Sequence, residues 1–333
     1  MSKLFSLIFL LLSVLSFAQD KHVFTRPKMG SPFNITVFTK DTNGLAEAIE
    51  KAYVRVDALN QVFSDYDSTS EISKLCRTYR VGEWFAVSND LFFMLKTSVE
   101  AAQKSRGAFD VTVGNVVKLW RKAKKAQAIP SMSERKSTLL KTGWQQVLLN
   151  EKDQKIGFNT EGVQLDFGGI VKGFAAENVV DILTQSKFPM CLADAGGDLA
   201  VGNKPTNTEG WQIGISVPQS DEQLMPQMLN LKNQAVATSG DMYNNVSVGG
   251  KRYSHIVNPK TGMGLTHQRN VTIIAPFGSL ADWLATACSV LPVKKAMQLV
   301  KNYPQTELLI LELRKGKIKS WQSEGFSKYF SLN

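Results

Sequence analysis

The sequence predicts an α+β fold of largely antiparallel sheets flanked by helices, and three observations carry that expectation. Short strand-like runs follow one another in hairpin fashion, as QQVLL and KIGF do around the polar NEKDQ. Helical stretches interrupt the strands irregularly and do not alternate with them one by one, as a doubly wound parallel sheet requires. Hydrophobic residues make up 43% of the 333 positions, enough for one large core, and no Pro/Gly-rich linker divides the chain. One domain over residues 19–333 is expected, preceded by a segment of different character.

That segment, MSKLFSLIFLLLSVLSFAQD, has Lys3, an apolar run from Leu4 to Phe17 and small residues at Ser16 and Ala18. This is the layout of a cleavable secretory signal over residues 1–18. The run falls short of the roughly 20 apolar residues a membrane-spanning helix needs, so an exported, periplasmic, non-spanning protein is expected. No cysteine near the cleavage point offers a lipid anchor, and a peripheral seat at the inner membrane stays open. The formal charge is +10, with a dense cluster at Lys118, Arg121, Lys122, Lys124 and Lys125. Such a run reads as a solvated helix face, or as a surface for an acidic partner or a membrane. Nucleic acid is not expected, because no aromatics interleave the charges. Cys76, Cys191 and Cys288 are odd in number and widely spaced, which excludes a metal signature or disulfide framework and predicts buried thiols.

Leu45, Ile49, Ala52, Val56, Leu59 and Val62 recur at three- and four-residue spacing, predicting a helix to Phe63 that ends in the turn-rich SDYDSTSE. A second helix starts after an N-cap at Ser88 and stops at Gly107; a third runs from about Val113 to Lys125, ahead of Pro130. The QQVLL/KIGF hairpin follows. From Val163 the pattern is a strand, VQLDF, a Gly168-Gly169 turn, and a helix with Val171, Ala175, Val179 and Ile182 on one face. CLADA leads into Gly196-Gly197-Asp198, and WQIGISV, VATSGDM, KRYSHIVNP and NVTIIAP read as further strands. A last helix begins near Leu280 with DWLATACSVL.

Three groups carry chemical potential. Asp282 and Thr286 stand four apart at a helix start, so their oxygens share one face and suit a hard cation such as Mg²⁺; equally, the aspartate can serve as a cap. Asp166, Gly168, Gly169 and Lys172 lie where a strand turns into a helix. Bare glycine backbone and free N–H groups favour an anion there, and Lys172 adds a mobile charge, although a plain connection would also use glycines. His255 sits where a strand runs into a Pro/Gly turn; a histidine in such a place can be exposed and, the side chain's unperturbed pKa being about 6.5, near neutral at pH 7, which suits a general base. His22 and His267 lie in less structured surroundings.

Seven blocks tie these groups together: Met29-Gly30, FSDYDSTSEISKL, GAFDVTVGNVVKLW, LDFGGIVKGFAAE, ADAGGDLAVG, VATSGDMYNNVSVGGKRYSHIVNPKTG and NVTIIAPFGSLADWLATA. In this order they resemble the ApbE family of FAD:protein FMN transferases. The resemblance implies an ApbE-like (T-fold-like) catalytic domain. It further implies Mg²⁺ held by the side chains of Asp282 and Thr286 and the carbonyl of Gly169. FAD, the substrate, would meet Met29, Tyr66, Ala108, Phe109, Asp110, Asp166, Lys172 and Val257. Catalytic roles fall to His255, as base for the acceptor hydroxyl, and to Lys172, as charge on the phosphoryl oxygens. The implied reaction transfers FMN from FAD to a Ser or Thr hydroxyl of an acceptor protein and releases AMP. Acceptors of the family carry a Ser/Thr-Gly-Ala-Thr type stretch in respiratory-complex subunits or FMN-binding domains. An FAD pyrophosphatase and a non-catalytic exported FAD-binding protein are the alternatives. Asn115, Asn258 and Ala285 depart from the family pattern, which has proline, aspartate and, in some members, a second carboxylate there.

Overall fold

The computed structural model describes residues 19–218, 220–225, 228–240, 245–248 and 250–331. The expected signal segment, 1–18, lies outside them. Among the described residues the main sheet has eight strands: β1 (Asp20–Lys28), β2 (Ser31–Thr39), β3 (Cys191–Asp194), β4 (Asp198–Val201), β5 (Gln234–Ser239), β6 (Gln268–Ala275), β7 (Glu307–Arg314) and β8 (Lys317–Gln322). Their order in space is their order in the chain, and each is antiparallel to the next. The expected α+β class with largely antiparallel pairing is therefore what the chain adopts.

The helices are α1 (Leu45–Phe63), α2 (Glu71–Thr78), α3 (Asn89–Lys104), α4 (Gly114–Ala126), α5 (Met132–Leu139), α6 (Val171–Gln185), α7 (Gly278–Val290) and α8 (Val293–Val300). The first six occupy the crossing from β2 to β3, and the last two that from β6 to β7. Strand alternation separates two layers. Ala235, Ala237, Val271, Ile273, Leu308 and Ile310 join the core under the helices. Val236, Ile274, Leu309 and Leu311 face the other way, into a smaller core closed by Trp211, Leu229 and Phe326. Burial on both faces leaves β7 an unbroken apolar run from Leu308 to Leu311, with no period to read.

Local chemistry sets the ends of the helices. The Ser88 side chain accepts from Leu91 N at 3.2 Å to start α3, and Gly107 takes the left-handed conformation just beyond it, φ +74°. Two helices, α2 and α5, are not among those expected. α2 is capped by Ser70, whose Oγ accepts from Ser73 N at 3.2 Å inside SDYDSTSE. α5 has a Ser131/Glu134 capping box but buries no residue, so it has no apolar stripe to announce it.

Three strand readings need correction. VQLDF is an extended connector, joined by a single parallel bridge of Gln164 to Val113 and by Asp166 N donating to Val111 O at 2.7 Å. KRYSHIVNP breaks into Lys251–Ser254 and Val257–Asn258, with His255 at the bend between them. WQIGISV likewise divides into Trp211–Ile213 and Ser216–Val217. α7 begins two residues before Leu280 and is followed by α8, so it is not the last helix. All three cysteines are free thiols; Cys191 and Cys288 are buried, and burial pushes both up to about 12, while Cys76 is partly exposed.

The basic stretch forms α4, whose inner face is not solvated. Val116, Trp120 and Ala123 pack against Val246, Tyr253 and Val257, and Trp120 Nε1 donates to Gly262 O at 2.8 Å. Asn115, a departure from the family pattern, donates from Nδ2 to Gly162 O at 2.8 Å.

Candidate active site

α6 and α7 touch backbone to backbone near their N-terminal ends. A Cβ added to Gly173 would lie 2.1 Å from Gly278 O, and one added to Gly278 would lie 2.1 Å from Gly173 O, so only glycine permits this approach. The crossing brings together residues far apart in sequence. Asp282 Oδ2 accepts from Gly173 N at 3.1 Å, making the aspartate a cap for the neighbouring helix α6 and not for its own. One turn on, a Cβ at Gly169 would fall 2.8 Å from Thr286 Oγ1. Gly169, Asp282 and Thr286, singled out as oxygen donors, thus share one location.

Charge is concentrated beside them. Lys172 Nζ lies 2.8 Å from Asp198 Oδ2, and Asp198 and Asp282 are each 5% exposed. Asp198, with Asp282 in support, raises the Lys172 ammonium to about 12 against the opposing effect of burial. Burial, and then Asp198, pushes the Asp282 carboxyl well above the usual range, with Lys172 opposing. Lys172 is therefore held, not mobile. Lys172 is paired with one of these two buried carboxylates, and the other, Asp282, is neutralised by a proton or by a cation taking its place. Among the described residues no group of three or more His, Cys, Asp or Glu forms a metal cluster, so a metal here would rest on one carboxylate, a hydroxyl and a carbonyl.

Asp166 stands at the approach to the glycine turn. Its Oδ1 accepts from Gly168 N at 2.8 Å, and Oδ2 lies 3.5 Å from Arg121 Nη2. Burial raises this carboxyl, Asp65 adds to the effect, and the Gly168 N–H and Arg121 oppose it. Arg121 also pairs with Asp65 and stacks its guanidinium 4.1 Å from the centre of the Tyr66 ring, which is 80% exposed.

The remaining expected residues divide by burial. Ala108, Phe109 and Asp110 are buried, and the Phe109 ring lies 6.0 Å from that of Trp283, the neighbour of Asp282. Asp110 spends its carboxylate inside the fold, accepting from Thr112 N and Oγ1 at 2.9 and 2.7 Å and from Trp144 N at 2.9 Å. Met29 forms the left-handed turn between β1 and β2 with Gly30, at φ 49° and 78°. Val257 is buried in the α4 cluster, and His255 is exposed at its bend. Asn258 caps the adjoining turn, its Oδ1 accepting from Lys260 N at 2.9 Å.

Sequence reasoning missed Asp198, Asp65 and the inward role of Arg121. The diglycine before Asp198 was visible, but its proximity to Lys172 depends on β4 lying beside α6. A groove of about 1130 Å³ opens on the far face of the sheet among Phe38, Trp211 and Tyr329 and contains none of these residues. A smaller one, about 390 Å³, adjoins Arg121 and is lined also by Lys118, Lys122 and Thr138.

Residues 29–310 match the model of the ApbE family. The FAD:protein FMN transferase of Escherichia coli (strain K12) is 28% identical over 308 residues, 90% of this chain and 87% of that protein. That of Treponema pallidum (strain Nichols) is 32% identical over 239 residues, 68% and 66% respectively. Among solved structures, the ApbE protein from Thermotoga maritima superposes with a TM-score of 0.83 at 28% identity, over 94% of this chain and all of that one. The flavin transferase ApbE from Vibrio cholerae shares the fold, with a TM-score of 0.83 at 24% identity, over 93% and 99%.

Proposed function

The chain belongs to the ApbE family, and from that premise we propose that it transfers FMN from FAD to a Ser or Thr hydroxyl of an acceptor protein, with Mg²⁺ as the metal. The observation that carries this reading is the meeting of Gly169, Asp282 and Thr286 beside Lys172, where the α6–α7 glycine contact joins two segments more than a hundred residues apart.

The donor set is all oxygen, partly buried and next to a second buried carboxylate, Asp198, which suits a hard divalent cation. The Asp282 carboxylate, the Thr286 hydroxyl and the Gly169 carbonyl would hold Mg²⁺, which would supply positive charge to the pyrophosphate oxygens. Asp198 holds the Lys172 ammonium in place, so that charge is preorganised toward the phosphoryl oxygens and need not reorient during reaction. Arg121 and Tyr66 present a flat stacked surface to a ring system. His255 accepts the proton of the acceptor hydroxyl. The hydroxyl oxygen bonds to the FMN-side phosphorus, the bridging P–O bond breaks, and AMP leaves with the bridging oxygen. A base of this kind contributes about 10²–10⁴-fold.

We place the reaction outside the cytoplasm, on the strength of the signal-like residues 1–18, and the acceptor stretch in a Ser/Thr-Gly-Ala-Thr context. No helix among the described residues is long and apolar enough to cross a membrane. Incubation of an acceptor domain with FAD and Mg²⁺ should add the mass of FMN less water, and chelation should abolish the gain. Asp282→Ala should lose transfer while keeping the wild-type circular dichroism spectrum. Undiminished, chelator-sensitive transfer by that variant would remove the metal assignment, and free FMN with no adduct would turn the reading to an FAD pyrophosphatase.

A further inference from the structure

We propose that the helical hairpin of α4 and α5 docks an acidic segment of the acceptor protein, an inference that rests on the transferase reading. Residues 114–141 contain eight Lys or Arg and one Glu, so seven of the chain's ten net positive charges lie on this single hairpin. Part of that charge serves the fold: Lys118 donates to Gln164 Oε1, and Arg121 pairs with Asp65. Lys122, Lys124, Lys125 and Lys136 are exposed, and none forms an ion pair among the described residues. The one local acid, Glu134, is engaged by the Ser131 N–H and hydroxyl at 2.8 and 2.7 Å.

The place of this charge matters as much as its amount. On one side, Arg121 links α4 to Asp166, two residues before the Gly168-Gly169 turn. On the other, Trp120 donates to Gly262 O, and the Leu139 side chain lies 3.6 Å from where a Cβ on Gly262 would stand, which fastens the hairpin to the turn following His255 and Val257. The basic surface therefore borders segments that carry both the phosphate-side and the base-side residues of the proposed site. Between α4 and α5 runs a groove of about 390 Å³ lined by Asn115, Lys118, Leu119, Arg121, Lys122 and Thr138. Met132 and Leu140, 63% and 77% exposed, would also suit a lipid surface. The groove favours a polypeptide, because an acidic side chain can enter a recess of this size beside Lys118, Arg121 and Lys122 and a bilayer cannot. Charge complementarity of this kind acts mainly on encounter and selectivity.

The test uses two synthetic peptides that share a Ser-Gly-Ala-Thr stretch and differ only in flanks rich in Asp and Glu or in Lys. At low ionic strength the wild-type protein should flavinylate the acidic peptide with kcat/KM on the order of 10-fold higher than the basic one, and added NaCl should shrink the difference. The Lys122→Glu/Lys124→Glu/Lys125→Glu variant should reverse the preference with an unchanged KM for FAD. Equal ratios in the two proteins would overturn the proposal. So would co-sedimentation of the wild-type protein, but not the variant, with phosphatidylglycerol vesicles when the peptides are not distinguished. Fluorescence anisotropy of the same peptides without FAD separates the two readings. Charge-dependent binding without flavinylation would uphold docking and refute transfer, and flavinylation without charge-dependent binding would do the opposite.

Discussion

At the scale of single residues, the site depends on a missing side chain and a held one. The Cβ of alanine at Gly169 would press within 2.8 Å of Thr286 Oγ1, so Gly169→Ala should displace one of the proposed metal oxygens without disturbing the core. We expect weaker Mg²⁺ binding by calorimetry and at least about 10-fold lower transfer, equivalent to about 1.4 kcal/mol; unchanged metal affinity would show that Gly169 and Thr286 do not share a cation. His267 makes a separate prediction. Its Nε2 lies 2.9 Å from Ser289 O, and burial, with Arg269 adding, lowers its pKa while the Ser289 carbonyl and Glu312 oppose the shift. The neutral ring, donating from Nε2, is thus the form the fold prefers. A lowered folded pKa gives stability that is present above the unfolded value of about 6.5 and lost as pH falls through the folded value. The wild-type Tm should therefore drop more steeply between pH 7 and 5 than that of His267→Gln. Parallel curves would assign the acid sensitivity to other groups.

At the scale of elements, α6 and α7 are the pair that matters, and each end of α7 is held differently. Its start lies against α6 at Gly173 and Gly278. Its C-terminal end is held by Arg269 on β6, whose guanidinium donates to Leu291 O at 2.9 Å and Cys288 O at 3.3 Å and is neutralised by Glu312 on β7. A cation there also answers the negative end of the helix dipole. Gly173→Ala places a methyl 2.1 Å from a carbonyl oxygen and 2.9 Å from Asp282 Cβ, so the helices must separate. Overpacking of this kind costs about 1–3 kcal/mol, read as a fall in denaturation midpoint together with loss of metal binding. A variant with wild-type stability would mean the crossing is more yielding than its geometry implies. The local signals for these two helices were legible in the sequence, α6 from its apolar face and α7 from the DWLATACSVL run. α5 was not legible, because a helix that buries nothing carries no periodic signal, and neither was β7, because a strand covered on both faces has no alternation.

At the scale of the whole molecule, a meander of antiparallel strands keeps its register while the long crossing from β2 to β3 supplies six helices, so the proposed metal-binding residues sit on one layer and the far layer is packed by small hairpins. The residue types needed for a metal, a pyrophosphate and a base, the antiparallel class and the resemblance to the ApbE family were all present in the sequence alone, since composition, spacing and motif order are one-dimensional properties. Whether Thr286 faced Gly169 was not, nor that Asp198 holds Lys172, nor that Arg121 turns inward to Asp65, Tyr66 and Asp166. Those contacts join residues between 26 and 117 positions apart, and only packing brings such residues within reach, because no local propensity acts across that much chain.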